Sequence, residues 1–520
     1  MSVRVVRWVL AAMVGLLAAR AAADMPETAI YETPLTNLVT AIDEIYVDPE
    51  SGDGLVRFAI SPIATPGEGR LILGLEPMGP DAPALIIVVN NSRAVRIPSS
   101  QEAVSAEIEL PGHVLRRGTN IVTLALEDDE TTGWRLDGAH SRLRVSYTMD
   151  RELASLGDVE AALAADVPQA GAIFIEDRPN DVMVEAVAAQ GIALRMGRVP
   201  ELVTDPASAS IRVTYELDAE LSGAEVRFSD NGTPGVILAG RHQQDLESAA
   251  RLFASRSLRQ ADTVFTVVDA LHAAAIGREN TRVESSQATL REFTEARLPF
   301  GDGRGAETAV ILTEGDGDRR LAGLSIMART AIAHETAWIY AWYGSNSHAA
   351  PENRHVVFVG TGALADRQLL DGAPVEFRTA LRQAADHSGG SGLRLSSAAY
   401  ASEGVPPSGV ATVFTDPDNP TRWIAGFTSP EPAGFNRASE ILSRSAHWGA
   451  LTGRAAIWDE DGVTGYDYSL EGTPTLAQRY GLPDLSLREI ALILFVLTML
   501  FILRGIWRRR RVNDKSRGWR

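Results

Sequence analysis

Between residues 35 and 148 the chain breaks into short runs rich in aliphatic and β-branched residues. "LVRFAI", "RLILGLE", "ALIIVVNN", "AEIELP", "NIVTLALED" and "RLRVSYT" are separated by Gly, Pro and Asn. Runs of this length with that punctuation predict strands, and their spacing predicts a β-sandwich. "VVNNSRAV" and "LRRGTN" are turn-like links between strands. From residue 152 the pattern changes. "GAIFIED" predicts a short apolar strand, "DVMVEAVAAQ" a helix, and "IALRMG" the next strand. "PGVILAGR" followed by "HQQDLESAARLFASRSL" repeats strand then amphipathic helix. Such alternation predicts an α/β unit with a parallel sheet over 152–260. A second α/β unit is expected over 285–470. It rests on "ETAVILTEGDGDRRLAGLSIMARTAIAHE", "HVVFVGTGALADRQLL", "GVATVFTDPDNP" and "NRASEILSRSA".

The two ends have a different pattern. Residues 1–23 carry a basic start (Arg4, Arg7), an apolar middle and small residues before Asp24, which predicts a secretory signal. A Pro- and Gly-containing connector, 472–486, leads to an apolar stretch. Residues 487–507 number 21, enough to cross a hydrocarbon core of ~30 Å as a helix. Arg504, Trp507, Arg508, Arg509, Arg510 and Arg511 follow or flank it and are expected to anchor it at the interface. The basic stretch 508–520 is then a cytoplasmic tail, and the body lies on the opposite, periplasmic side of a cell inner membrane.

Charge sharpens the picture. The chain totals −18 and contains no Cys. Setting aside +3 from Arg4, Arg7 and Arg20, and +7 from the tail beginning at Arg504, leaves the body near −28. Such a body repels nucleic acid and anionic headgroups, and suits neutral ligands or basic partners. The lack of Cys fits an oxidising compartment.

Motifs for chemistry are sparse. "GTGALA" (360–365) follows a strand and approaches the dinucleotide fingerprint. No acidic residue ends a following strand about 20 positions on, so a tight strand-to-helix turn is the better reading. No P-loop and no G-x-S-x-G elbow occur, and His334-Glu335 lacks the second His of H-E-x-x-H. The nine His have no ligand-like spacing. No catalytic residue, metal site or cofactor is therefore expected. The run "WIYAWY" (338–343) stands out. As a strand it places Trp338, Tyr340 and Trp342 on one face, about 6.6 Å apart. An aromatic row of that kind suits the apolar faces of sugar rings, and a buried strand is the competing reading. Trp134 is expected in the sandwich core.

Taken together, "ALIIVVNNSRAVRIP", "LPGHVLRRGTNIVTLAL", "WRLDGAHSRLRVSYT", "LPFGDGRGAETAVILTEGDGDRRLAGLSIMARTA", "VVFVGTG" and "AHWGALTGRAAIWDEDG" resemble the BcsB family, the periplasmic accessory subunit of bacterial cellulose synthase. The order of parts agrees. The resemblance implies a carbohydrate-binding-like sandwich, flavodoxin-like α/β units and a C-terminal transmembrane helix. It further implies a non-catalytic subunit of a cellulose or related exopolysaccharide synthase. Its partners would be a multi-span, BcsA-like glycosyltransferase and a nascent glucan or other neutral polymer. The family is often associated with cyclic di-GMP regulation, but that nucleotide is cytoplasmic, as are only residues 504–520 here. One departure is clear. The family has two sandwiches alternating with two α/β domains, and about 25–40 residues between the α/β units here leave no room for the second. A membrane-tethered polysaccharide-modifying enzyme and a stand-alone carbohydrate-binding scaffold remain the alternatives.

Overall fold

The computed structural model describes residues 28–38, 42, 44–80, 82–127, 132–178, 181–260, 263–267, 289–295, 299–313, 317–361, 372–387, 407–430 and 434–466. The expected signal 1–23, the connector 472–486, the span 487–507 with Arg504, Trp507 and Arg508 to Arg511, and the loop 386–392 beyond His387 lie outside the described residues. No helix among the described residues is long and apolar enough to cross a membrane.

Nine strands build the N-terminal part: β1 (Thr28–Pro34), β2 (Glu44–Val47), β3 (Gly54–Ile60), β4 (Ala64–Pro77), β5 (Leu85–Val89), β6 (Arg93–Ile97), β7 (Val104–Leu110), β8 (Gly118–Leu126) and β9 (Trp134–Met149). They form two antiparallel sheets. One has the order β1-β9-β4-β7 with β2 also on β9; the other runs β3-β8-β5-β6. Their inward residues share one core: Val56 and Phe58 on β3 and Ile87 on β5 meet Leu71, Leu73, Ile108, Leu143 and Val145 of the other sheet. This is a β-sandwich, and each of the six runs read as its strands is one. The strands β1, β2 and β6 are additional. Trp134 is fully buried, and its indole N–H donates to the Pro83 carbonyl at 2.7 Å.

The first α/β module contains α1 (Leu156–Leu163), β10 (Ile173–Ile175), α2 (Val182–Met196), β11 (Leu202–Val203), β12 (Ile211–Leu217), β13 (Ala224–Ser229), β14 (Gly235–Gly240), α3 (Gln243–Ser255) and β15 (Val264–Val267). The second contains α4 (Leu290–Glu295), β16 (Thr308–Leu312), α5 (Gly317–Ala333), β17 (Trp342–Gly344), β18 (His355–Val359), α6 (Val375–His387), β19 (Gly409–Thr415), β20 (Trp423–Thr428), α7 (Phe435–Leu442), α8 (Ser445–Gly449), β21 (Ala455–Trp458) and β22 (Val463–Tyr466).

Two sequence expectations are corrected here. "IALRMG" is not a strand: it is the last part of α2, which runs on until Gly197 takes the left-handed conformation that closes a helix. Its apolar residues run without a polar face because α2 is buried between α3 and α5. The sheets are also not purely parallel. Four adjacent strands of each pair in parallel, but β13 is reversed between β14 and β15, β19 is reversed between β20 and β21, and β22 is reversed beside β21. The five residues from Asp230 to Pro234 make a hairpin between β13 and β14, too short for a parallel crossover. Both sheets begin second-first-third, as a flavodoxin-like sheet does, and then depart from it.

The two modules are tied together and to the sandwich. A single apolar core runs from Leu156 to Trp458. Toward the sandwich, Asp166 and Val167 continue along the edge of β3. The Ala59 amide donates to the Asp166 carboxylate at 2.7 Å, Val167 N donates to Ala59 O at 3.0 Å, and Val167 itself enters the sandwich core. That edge is thereby covered.

Candidate functional site

The aromatic run does not form the expected row. α5 ends at Ala333, and the chain needs a loop through Glu335 (φ 51°) before it can re-enter the sheet, so β17 begins only at Trp342. Trp338 is fully buried in the core between the modules. Its amide donates to Gln190 Oε1 of α2 at 2.8 Å, and its carbonyl accepts from Tyr343 Oη at 2.8 Å. Gln190 Nε2 donates to the same Tyr343 hydroxyl at 2.9 Å, and burial pushes that phenol up. Tyr340 is half-buried against the same core. Trp342 is half-buried on the other side of the sheet, against the cluster around Ile311 and Phe358. The three are therefore not on one face, and Trp338 has no surface to offer a sugar.

The ends of the parallel strands, where open α/β sheets hold ligands, differ between modules. In the first, the cleft between β10 and β12 is filled. Glu185 on α2, 3% exposed, pairs with Arg320 of α5, and Arg320 also donates to the Ile175 carbonyl at 3.2 Å. Burial raises the Glu185 carboxyl despite Arg320. Arg178 lies 5.8 Å from the Tyr215 ring, and burial raises that phenol well above its ordinary value. In the second, the corresponding ends carry Thr313, Gly360, Thr361, Thr428 and Ser429. The glycine of "GTGALA" has a packing reason: a Cβ on Gly360 would lie 1.8 Å from Thr313 Oγ1. Residues 362–365 of that motif lie outside the described residues.

A cleft of about 190 Å³ is lined by Glu160, Arg195, Ala254, Arg256 and Ser257. Arg195 donates there to the carbonyls of Gly191 at 2.8 Å, Phe253 at 2.6 Å and Arg256 at 2.7 Å. The C-terminus of α3 is thus satisfied by a guanidinium from α2, which is a capping role. Among the described residues, no group of three or more His, Asp or Glu is placed to hold a metal ion.

The sandwich offers the surface that the sequence reading passed over. Outward residues of the five-stranded sheet form a charged ladder. Glu32, Arg144, Arg70 and Glu109 stand opposite one another across four strands. Ion pairs join Arg70 to Glu107 at 2.6 Å, Arg142 to Glu32 at 3.4 Å and Arg135 to Glu44 at 2.9 Å. The outer face of the four-stranded sheet is unlike it. Leu55, Thr123, Val88 and Ala94 stand in one row, with Ile121 beside Arg57 and Ile86 beside Ala125. Leu55 is 44% and Ile121 39% exposed. No outward position of these four strands carries a carboxylate, and Arg96 is paired with Glu127 at 2.6 Å. Four strands span about 15 Å. The signal was present in "ALIIVV", whose apolar residues occupy both parities: Leu85, Ile87 and Val89 face inward, and Ile86 and Val88 outward.

Motif residues behind the family resemblance hold this sandwich together. Asn90 (φ 49°) closes the β5–β6 turn, donates to Asn120 Oδ1 at 2.8 Å and Val114 O at 2.9 Å, and accepts from Ile121 N at 2.9 Å. Asn120 in turn donates to Arg116 O at 2.8 Å.

No protein-family model matches the chain, and no curated protein does. Among solved structures, a family 35 carbohydrate-binding module from Clostridium thermocellum is 15% identical, with the match covering 23% of this chain and 97% of that one at a TM-score of 0.15. The CBM35 of Abf62 from Cellvibrio japonicus is 18% identical over 18% of this chain and 63% of that one, at 0.14. An exo-beta-1,3-galactanase from Phanerochaete chrysosporium is 14% identical over 24% of this chain, which spans 27% of the galactanase, at 0.15. At TM-scores this low the likenesses settle neither fold nor ligand.

Proposed function

We propose that this chain is the non-catalytic accessory subunit of an inner-membrane polysaccharide synthase of the BcsB kind. The segment 487–507 docks on the multi-span glycosyltransferase, and the body meets the neutral polymer as it emerges. Any response to cyclic di-GMP enters through the catalytic partner. The supporting observation is the outer face of β3, β8, β5 and β6. Its strand positions carry no carboxylate, the Glu127 carboxylate at its end is paired with Arg96, and it is partly aliphatic, on a body near −28. A neutral chain of sugar rings meets no desolvated charge there. Thr119, Thr123 and Arg57 supply hydrogen-bonding groups beside the aliphatic carpet.

Copurification from gently solubilised membranes tests the first half. The chain should come down with a multi-span glycosyltransferase, and recovery of the chain alone under conditions that preserve such complexes sinks the proposal. The second half is tested by the pair Leu55→Asp and Ile121→Asp. Polymer output should fall while the complex still assembles. Unchanged output would remove this face from the polymer's path.

A further inference from the structure

We infer that Asn231 is a site of spontaneous covalent modification, deamidating in the folded protein. The inference is independent of the proposed function. Asn231-Gly232 is the single Asn-Gly pair in the chain. It lies in the loop between β13 and β14, where Asp230, Asn231 and Gly232 are all exposed. Several described Asn side chains are held: Asn90 and Asn120 by each other, Asn346 by the Ala349 amide at 3.1 Å, and Asn419 by the Thr421 amide at 3.2 Å. Among the described residues, the Asn231 side chain has no hydrogen-bond partner.

The chemistry needs only water. The Gly232 N–H donates to the Asp230 carbonyl at 2.5 Å; once that bond opens and the proton passes to solvent base, the nitrogen attacks the side-chain carbonyl carbon of Asn231. A carbon–nitrogen bond forms, and the side-chain amide leaves as ammonia, giving a cyclic imide. Water then opens one of its two carbonyls. Opening at one gives aspartate; opening at the other gives isoaspartate, with the chain routed through the side chain. Glycine matters because no Cβ obstructs the attacking nitrogen. Gly232 has φ +80°, and nothing lies within 4 Å of where its Cβ would stand. The loop lies outside the paired residues, which begin at Ser229 opposite Gly235, so the strand register survives the longer backbone of isoaspartate. One negative charge is added to an already acidic body.

The test compares the folded full chain with its own denatured form, both incubated at mildly alkaline pH. Cleavage after Arg227 and Arg241 gives the peptide Phe228–Arg241, which contains one Asn. Its gain of one mass unit, with two chromatographic forms, is read over time. The folded rate should fall within about tenfold of the denatured rate, and the aged protein should keep its melting temperature within about 2 °C. Asn231→Gln should abolish the mass gain in that peptide, because a Gln side chain closes the ring far more slowly. A folded rate more than about tenfold below the denatured one means that the hairpin protects the residue, and overturns the inference. A large drop in melting temperature on ageing would overturn the claim that register survives.

Discussion

The two α/β modules share one plan and use it differently. Both sheets have the order second-first-third-fifth-fourth-sixth, with the same strands reversed; the second module adds β22. In both, the helix after the first strand, α2 or α5, is the one that meets its counterpart across the shared core. Yet the first module's cleft is closed by a buried ion pair whose cation, Arg320, belongs to the second. The second module's strand ends carry small hydroxyl residues and Gly360 instead. Equal topology therefore does not mean equal sites. The side chains at the strand ends decide, and one module can fill the other's position.

The comparison can be broken most sharply at Trp338. If it is the plug between modules, Trp338→Ala should cost about 3–5 kcal/mol in urea denaturation, whereas half-buried Trp342→Ala should cost about 1–2. Equal effects would mean that the run acts as one surface after all. Next comes the shared ion pair. Arg320→Ala leaves Glu185 buried without its cation and should cost about 3 kcal/mol, while the apolar double replacement Glu185→Leu with Arg320→Met should recover most of that. Failure of the double variant to recover would point to Arg320 packing rather than charge.

The third test concerns a group peculiar to the second module. His355 Nδ1 accepts from the Trp423 amide at 3.0 Å, so it must be deprotonated. Burial first, and then Arg422, push it down from 6.5 to about 4. Between those two values the unfolded chain binds the proton and the folded chain does not. Stability is therefore full above pH ~6.5 and falls toward pH ~4, by about 3 kcal/mol. His355→Gln keeps an acceptor but does not titrate, so it should flatten that slope in melts taken across the window. An unchanged slope would assign the pH dependence elsewhere. Smallest of all are Leu55→Asp and Ile121→Asp, which should change stability by no more than about 0.5 kcal/mol, being exposed. A larger loss would make that sheet face part of the fold rather than a contact surface.

Much of the fold could be read directly. Each sandwich run, α3, α5 and the strands β16, β18 and β19 follow from local pattern, because the sandwich runs and helices turn one face to a core, the three strands are largely apolar and buried on both faces, and the turns between them carry Gly, Pro or Asn. The failures have physical causes. "IALRMG" reads as a strand because a helix buried on all sides loses its 3.6-residue period. "WIYAWY" reads as a strand because aromatic residues favour sheets, while the loop after α5 consumes its first half. The candidate surface was half legible: "ALIIVV" is apolar at both parities, but nothing local says which sheet face stays open.

The sequence by itself determined the order of sandwich and α/β parts, the acidity of the body and the special turn at Asn90, since these depend on neighbours along the chain. Tertiary structure alone decided that Trp338 lies in a core rather than on a surface, that Arg320 completes the other module's cleft, and that one sandwich face is a charged ladder while the strands of the other present aliphatic and hydroxyl residues. Those outcomes depend on which elements meet in space. Glu185 and Arg320 are 135 residues apart and become partners only when α2 packs on α5.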